Sequence, residues 1–517
     1  MRNLSEIATF VKARYQIMYI VGHEEDQIEE YLNKIAKEKL DSRKIVFWTC
    51  TKGFYTDFVN DKGDGKTAPN VALDQIIEWA KSGQKMIIVL HGFQKFIENE
   101  IISRKLMDIY RLFSIAYMNL IIVSPILKVP LDLEKIITVI DFDMPNSEEL
   151  SNLLTKSVND FNEQYFSIIK KKVDLENGKK ENVVNLLKGL TVDEAIASIS
   201  RSFVLHRDIK EECILEQKKQ VIRKTGILEY FESQESLDGI GGLDELKRYI
   251  KVRRVAFSQK ARDFGISQPR GIIVVGIPGT GKSLCAKAIA NQWKVPLIRF
   301  DVGALMSKFV GESENNMRRA IKIVEGIGDC ILWMDEIEKA FSGMSGGDTS
   351  GVTTRLFGQF LTWMQDKKGS SFIVATANNI SMLPPEFLRK GRFDEIFFVD
   401  LPSEIEREEI FKIHLEKRNR DSKKYEVKEL SRKTHGFSGS EIEAVVETAL
   451  CEAYYNGNDL SSDEIIKAAK EMIPLSKTME NEVNVLREWA GGRAKNASSS
   501  DKSLTELMRS KMRVDLN

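Results

Sequence analysis

Ten short apolar runs, set out in two groups of five, constrain this chain more than any other feature. The first group is IMYIV (17–21), KIVFW (44–48), MIIVL (86–90), NLIIV (119–123) and IITVI (136–140). The second is GIIVV (271–275), PLIRF (296–300), CILWM (330–334), FIVA (372–375) and EIFFV (395–399). Longer helical patterns separate the runs. A continuous apolar run suits a strand buried on both faces, and such strands alternating with helices form a parallel sheet. The pattern therefore predicts an α/β architecture, built twice.

Each α/β block is followed by a stretch that reads as all-helical, at about 147–232 and about 403–475. Both stretches carry a glycine, an apolar residue and a hydroxyl before an amphipathic helix with an early glutamate: GLTVDEAIASISRSF (189–203) and GFSGSEIEAVVETAL (436–450). The segments leaving the sheets also match, 119–145 beside 372–402. The whole reads as a diverged internal duplication. GGRAKNASSSDK (491–502) has little apolar content and reads as a flexible tail. The expected organisation is an α/β domain over 1–146, a helical lid and linker over 147–235, a second α/β domain over 236–402, a small helical lid over 403–478, and a helical or flexible tail over 479–517.

Composition excludes several classes. With 76 basic and 76 acidic residues, the chain has no general pull toward nucleic acid or an anionic membrane. The basic residues near the C-terminus read as solvated charge, so a nucleic-acid partner is not expected. The five cysteines lie far apart without CxxC spacing, which points to reduced thiols rather than a disulfide frame or zinc site. No apolar run approaches the ~20 residues that cross a bilayer, and the N-terminus lacks a signal-peptide core. A reducing aqueous compartment is expected: the cytoplasm, or the plastid stroma for an organelle-encoded chain.

The strongest chemical signal is GIPGTGKS, Gly276 to Ser283, between a buried run and the helix SLCAKAIANQW. That context is what a GxxxxGK[ST] phosphate loop requires. Gly276, Gly279 and Gly281 let backbone N–H groups curl around phosphate oxygens, and the helix N-terminus adds partial positive charge. Lys282 is placed to reach the β- and γ-phosphates, and Ser283 to ligate Mg²⁺. In CILWMDEIEKAF, four apolar residues put Asp335 and Glu336 at the C-terminal end of a central strand, where α/β sheets bind ligands. Asp335 suits holding Mg²⁺ through water. Glu336 suits orienting and deprotonating an attacking water.

With these motifs in place the chain resembles an AAA-clade AAA+ ATPase. The resemblance implies ATP and Mg²⁺ as cofactors, and a P-loop NTPase sheet with a small helical lid. It also implies a nucleotide site of Ile240, Gly241, Gly276, Pro278, Gly279, Thr280, Gly281, Lys282, Ser283, Leu284 and Gly439. Ile240 and Gly241 match the segment that packs on adenine, and Gly439 stands where other clades carry a sensor arginine. Asn378 matches the residue that senses the γ-phosphate. In LRKGRFD, Arg389 resembles the arginine finger and Arg392 its companion, acting on a neighbour's ATP, so a homo-hexamer is implied. Lys308, Phe309, Val310 and Gly311 resemble the pore loop that grips an extended polypeptide, and 342–351 a second, mobile loop. VGHEED, KIVFWTCTKGF, IIVSPILKVPLDLEK, IRKTGILEYFE and IPLSKTMENEVNVLREWAGGRAKNAS resemble the AAA+ family named for hypothetical chloroplast open reading frame 46. No HExxH follows the second α/β domain in this sequence, so a fused membrane protease is not expected.

The first half has the frame of a phosphate loop without its chemistry. With Gly22 set against Gly276, Ile28 and Glu29 replace Lys282 and Ser283, while His91 and Gly92 replace Asp335 and Glu336. The glycine pair is gone, and Glu24, Glu25 and Asp26 sit at the helix N-terminus. Carboxylates there favour the helix N-terminus and repel phosphate. The expectation is a non-catalytic AAA-like domain that neither binds nor hydrolyses ATP, its acids capping the helix that an anion would cap. It is expected to hold a protein partner or the second half of the chain.

Overall fold

The structure, a computed structural model, describes residues 5–40, 43–169, 173–175, 177–306, 310–340, 349–367, 369–389 and 391–499. The chain divides into two compact units, Met1–Lys218 and Lys219–Asn517. All ten apolar runs form strands.

In the first unit the strands are β1 (Ile17–Val21), β2 (Lys44–Thr49), β3 (Gly53–Tyr55), β4 (Met86–His91), β5 (Asn119–Ser124) and β6 (Ile137–Asp141). They form a sheet in the order β3-β2-β4-β5-β1-β6, parallel except for the edge hairpin strand β3. Alternate residues of each strand enter opposite cores. Ile17, Tyr19, Ile88, Leu90, Leu120 and Ile122 face helices Pro69–Lys81 and Glu100–Phe113. Met18, Ile20, Ile87, Val89, Ile121 and Val123 face helices Ser5–Lys12 and Glu25–Lys39. Both faces are covered, which is why these strands read as unbroken apolar runs.

In the second unit the strands are β7 (Leu228–Phe231), β8 (Gly271–Gly276), β9 (Leu297–Phe300), β10 (Ile331–Met334), β11 (Phe372–Ala377), β12 (Glu395–Val399) and β13 (Lys495–Asn496). Their order is β13-β12-β8-β11-β10-β9-β7. Without the edge additions, both sheets place their five main strands in the same order: fifth, first, fourth, third, second.

Registers align the halves residue by residue. β1 pairs with β5 as β8 pairs with β11, and β4 with β5 as β10 with β11. Matching these ladders superposes Gly22 on Gly276, His91 on Asp335 and Gly92 on Glu336. The helical segments match too. Gly189 and Gly436 are left-handed, at φ 82° and 81°. Thr191 and Ser438 then close capping boxes with Glu194 and Glu441, opening helices Val192–His206 and Gly439–Tyr455.

Two expectations are corrected. The stretch after the first sheet is not helical throughout: Leu228–Phe231 is β7, antiparallel to β9 on the second sheet's edge. Nor do the residues from 491 to 499 form a loose tail. Lys495–Asn496 pair with β12, and Ala497 is fully buried among Ile240, Leu243, Leu246 and Ile250. A two-residue strand with exposed side chains leaves no apolar signature in sequence.

Candidate active site

The phosphate-loop motif begins at the end of β8. A Cβ at Gly276 would stand 2.1 Å from the Val399 carbonyl oxygen, so this glycine is required by the neighbouring strand rather than by loop curvature. The curvature comes from Gly279 and Gly281, left-handed at φ 76° and 89°. Gly281 caps helix Lys282–Trp293. Lys282 is buried and folded back, donating to the carbonyls of Gly276 (2.9 Å) and Ile277 (2.6 Å). Burial pulls its ammonium down to about 8, partly opposed by the Glu338 and Asp335 carboxylates.

The strand ends supply the acids. Ser283 Oγ donates to Asp335 Oδ1 at 2.9 Å, and Thr376 Oγ1 donates to the same oxygen at 2.6 Å. Thr376 Oγ1 also accepts from the Glu336 backbone N–H (2.9 Å). Asn378 Nδ2 donates to Glu336 Oε1 at 2.9 Å, and Lys339 pairs with Glu336 Oε2. The Asn378 N–H donates to Glu338 Oε1 (2.9 Å), whose carboxyl group burial raises above its ordinary pKa. Glu336 is left-handed at φ 49°, a strained position for a non-glycine residue.

A cavity of about 320 Å³ opens over these groups. Of the residues marked in the sequence, Ile240, Gly241, Pro278, Gly279, Thr280, Gly281, Lys282, Ser283, Leu284, Glu336, Asn378 and Gly439 line it. Asp335 is joined to the wall through Ser283 and Thr376. Arg389 is exposed beyond the short turn Pro385–Leu388, and Arg392 donates to the Glu386 carbonyl; neither lines the cavity. Lys308 and Phe309 lie outside the described residues, as does 341–348; Val310 and Gly311 open helix Val310–Ile327.

Sequence reasoning missed Thr376, Glu338, Ile410, Ile413, His414, Ser440 and Glu443. Thr376 left a signal, a hydroxyl near the end of the apolar run FIVATA. The lid residues left none, because only the fold returns helix Glu404–Lys417 to the loop. His414 lies 3.5 Å from Glu443, and burial holds its pKa below the ordinary histidine value. The lid docks on the loop directly: the Ser440 N–H donates to the Gly279 carbonyl (3.0 Å), and a Cβ at Gly279 would meet Ser440 Oγ at 2.1 Å.

The equivalent place in the first unit is built differently. Helix Glu25–Lys39 starts three residues earlier than its counterpart, absorbing positions that curl as a loop in the second unit. Glu29, at the position of Ser283, lies 2.9 Å from His91, at the position of Asp335. The contact is close, but its geometry is not that of an aligned hydrogen bond. Tyr55 donates to the same Glu29 oxygen at 2.8 Å, and burial with this carboxylate drives the phenol pKa well up. Ile28, at the position of Lys282, is fully buried.

Glu25 and Asp26 stand in the first turn of helix Glu25–Lys39, as expected, but Glu24, at the N-cap position, makes no side-chain capping hydrogen bond to that helix, which corrects the expectation for this one acid. It is buried, and Oε1 accepts from the backbone N–H groups of Val192 (2.6 Å) and Asp193 (3.3 Å). Those donors open the helix equivalent to Gly439–Tyr455. One helix N-terminus therefore docks on one loop in both units, through a carbonyl in the second and a carboxylate in the first.

Comparison with known proteins agrees with this layout. The ATPase family associated with various cellular activities (AAA) matches residues 272–401. The N-terminal and second domains of SpoVK-like AAA ATPases match 4–142 and 148–225. The AAA domain-containing protein ycf46 of Trieres chinensis is 38% identical over 499 residues, covering 96% of this chain and 98% of that protein. The ycf46 protein of Pyropia yezoensis is 39% identical over 501 residues, covering 95% and 99%. A cell division cycle protein 48 homolog of Archaeoglobus fulgidus is 32% identical over 259 residues, 48% of this chain and 35% of that one.

Proposed function

The chain belongs to the AAA ATPase family as a ycf46-type member, and from that premise we propose that its second half hydrolyses ATP to remodel or unfold a protein. The observation that carries the reading is the network at the cavity mouth, Ser283–Asp335–Thr376 beside Glu336–Asn378. Hard oxygen donors at Ser283 and Asp335, under a left-handed glycine cradle, fit Mg²⁺ and a triphosphate. Those two residues would hold the ion, which when bound supplies charge neutralisation to the phosphates. Lys282 trades its two carbonyl contacts for phosphate oxygens. Glu336 gives up Asn378 and Lys339 to orient a water and take its proton. Ile240 and Gly241, with Ile410 and His414 across from them, suit the base.

Arg389 acts in this reading as a finger toward a neighbouring copy in a homo-hexamer, with Arg392 beside it. Phe309, flanked by Lys308, Val310 and Gly311, grips an extended polypeptide. The partner in this reading is a protein rather than a nucleic acid; among the described residues no helix is long and apolar enough to cross a membrane. The setting is the cytoplasm or a plastid stroma. Glu336→Gln is the deciding variant: it should bind ATP, lose hydrolysis by about 10²–10⁴, and retain the protein partner for identification by mass spectrometry. Hydrolysis at the wild-type rate would refute the assignment. Phe309→Ala should keep ATPase activity and lose remodelling of that partner.

A second reading is an ATP-dependent switch or scaffold, which threads nothing and binds its partner through the first half. It is favoured by the Glu24 carboxylate on helix Val192–His206 and by Glu29 and His91 at the metal positions. On both readings the first half neither binds nor hydrolyses ATP. Partners captured equally with and without ATP would count against both.

A further inference from the structure

The turn on the base side of the cavity is held in a demanding conformation. Gly242 and Leu243 are both left-handed, at φ 69° and 60°, and Leu243 opens helix Asp244–Arg253 without a side-chain cap. For a non-glycine residue like Leu243 such a conformation persists only where the surroundings over-determine it. Three sets of contacts do so. The Gly242 N–H donates to Glu409 Oε2 (2.8 Å) and the Leu243 N–H to Glu406 Oε1 (3.4 Å). A Cβ at Gly241 would stand 2.6 Å from Ile410.

The third set comes from the far end of the chain. The Leu246 N–H, one of the donors that a helix start leaves without an intrahelical partner, bonds to the Ala497 carbonyl at 3.0 Å. The Ala497 N–H in turn donates to the Phe398 carbonyl (2.9 Å), and its side chain is fully buried beside Ile240 and Leu243. Ser498 Oγ donates to Glu406 Oε1, the oxygen that receives the Leu243 N–H. Upstream, Arg487 grips Asp400 through Nε (2.9 Å) and Nη2 (2.8 Å), and Lys495 pairs with Glu395. The strap is thus fixed at both ends and touches the turn by backbone, side chain and apolar contact.

We propose that Lys495–Ser498 is a positioning strap for nucleotide recognition, holding Gly239–Leu243 in the conformation that receives the purine base. Ala497 supplies the missing cap of helix Asp244–Arg253, and Ser498 keeps Glu406 turned toward the Leu243 N–H. The inference rests on the assignment of Ile240 and Gly241 to the base. It makes base affinity, and not phosphate affinity, depend on the strap.

Two truncations of the full chain test it, one ending at Ser499 and retaining the strap, the other ending at Ala494 and removing it. Ser498→Ala and Ser498→Thr accompany them, so that the test survives misfolding of the shorter truncation. Removal of the strap should raise the KM for ATP at least about tenfold, the equivalent of one or more net hydrogen bonds, with little change in kcat. Inhibition by inorganic tripolyphosphate, which has no base, should be unchanged. Ser498→Ala should raise KM by a few-fold, with Ser498→Thr restoring it. Wild-type KM in both the Ala494 truncation and Ser498→Ala would overturn the proposal. So would a parallel loss of ATP and tripolyphosphate affinity, which would make the strap a general brace. Hydrogen exchange of residues 239–250 without nucleotide gives an independent reading: faster exchange on removing the strap supports the contact, and unchanged exchange refutes it. A wild-type chain that failed to bind ATP would refute the ATPase reading, leaving the strap to be judged by exchange alone.

Discussion

The carboxylate of Glu24 should govern the opening of helix Val192–His206, and Glu24→Ala tests this. The substitution removes a buried acceptor and leaves the Val192 and Asp193 N–H groups facing an emptied site. A hydrogen bond to a charged group contributes about 1.5–3 kcal/mol net, and a carboxylate at a helix N-terminus about 0.3–1 kcal/mol. The 2.6 Å bond from Val192 is well formed and the 3.3 Å bond from Asp193 is marginal. Together they give a loss of about 2–4 kcal/mol for alanine. Glutamine keeps an acceptor without charge, so about half of that should be lost. At 1.4 kcal/mol per factor of ten, alanine should speed amide exchange at Val192–Ala195 by roughly thirtyfold to several hundredfold. The assay is hydrogen exchange by mass spectrometry on the full chain. Thr191→Ala is the comparator: loss of a capping hydroxyl costs only about 1 kcal/mol. Wild-type exchange in Glu24→Ala would refute the reasoning, as would glutamine proving as damaging as alanine.

Other predictions follow from the second unit. Arg389→Ala should bind ATP and lose about 10³–10⁵ in hydrolysis. Mixed with Glu336→Gln it should recover activity, because an Arg389→Ala copy keeps its own Glu336 and receives the finger from a Glu336→Gln neighbour; phosphate release that stays at the level of the separate variants would refute action in trans. Lys282 is held at about 8 against 10.5, so at pH 9 it is mostly neutral in the nucleotide-free protein. Phosphates favour its charged form, so ATP binding should take up most of a proton at that pH and weaken as pH rises above about 8. Calorimetry in buffers of different ionisation enthalpy measures the uptake, and Lys282→Met should abolish it. Gly276→Ala should destabilise the second unit by about 1–3 kcal/mol in urea unfolding, because its Cβ meets the Val399 carbonyl at 2.1 Å.

How much of this was legible in sequence follows the physics of each element. The ten strands announced themselves because burial on both faces leaves no polar alternation to confuse the pattern. Gly279, Gly281, Lys282 and Ser283 were legible because phosphate binding fixes residue type at close spacing. Asp335 and Glu336 were legible because the strand before them is uniformly apolar. Contacts made across long loops were not. Glu24 meets Val192 across 168 positions, and nothing near either residue encodes the encounter. Ala497 is a small residue in a polar segment, and only the closed sheet shows it to be core. β7 is short and half exposed, so it merged with the helical pattern around it.

Glu336 and Gly92 occupy one position of a shared frame, and both are left-handed, at φ 49° and 64°. For glycine that conformation is nearly free, whereas for a glutamate it costs on the order of 1–2 kcal/mol. The kink therefore belongs to the fold, and the strain belongs to the chemistry placed on it. One corner holds a glutamate in a conformation that suits it poorly, and the equivalent corner holds the residue that the backbone prefers. The two halves thus set side by side, within one chain, the same backbone corner with and without the strain of a side chain on it.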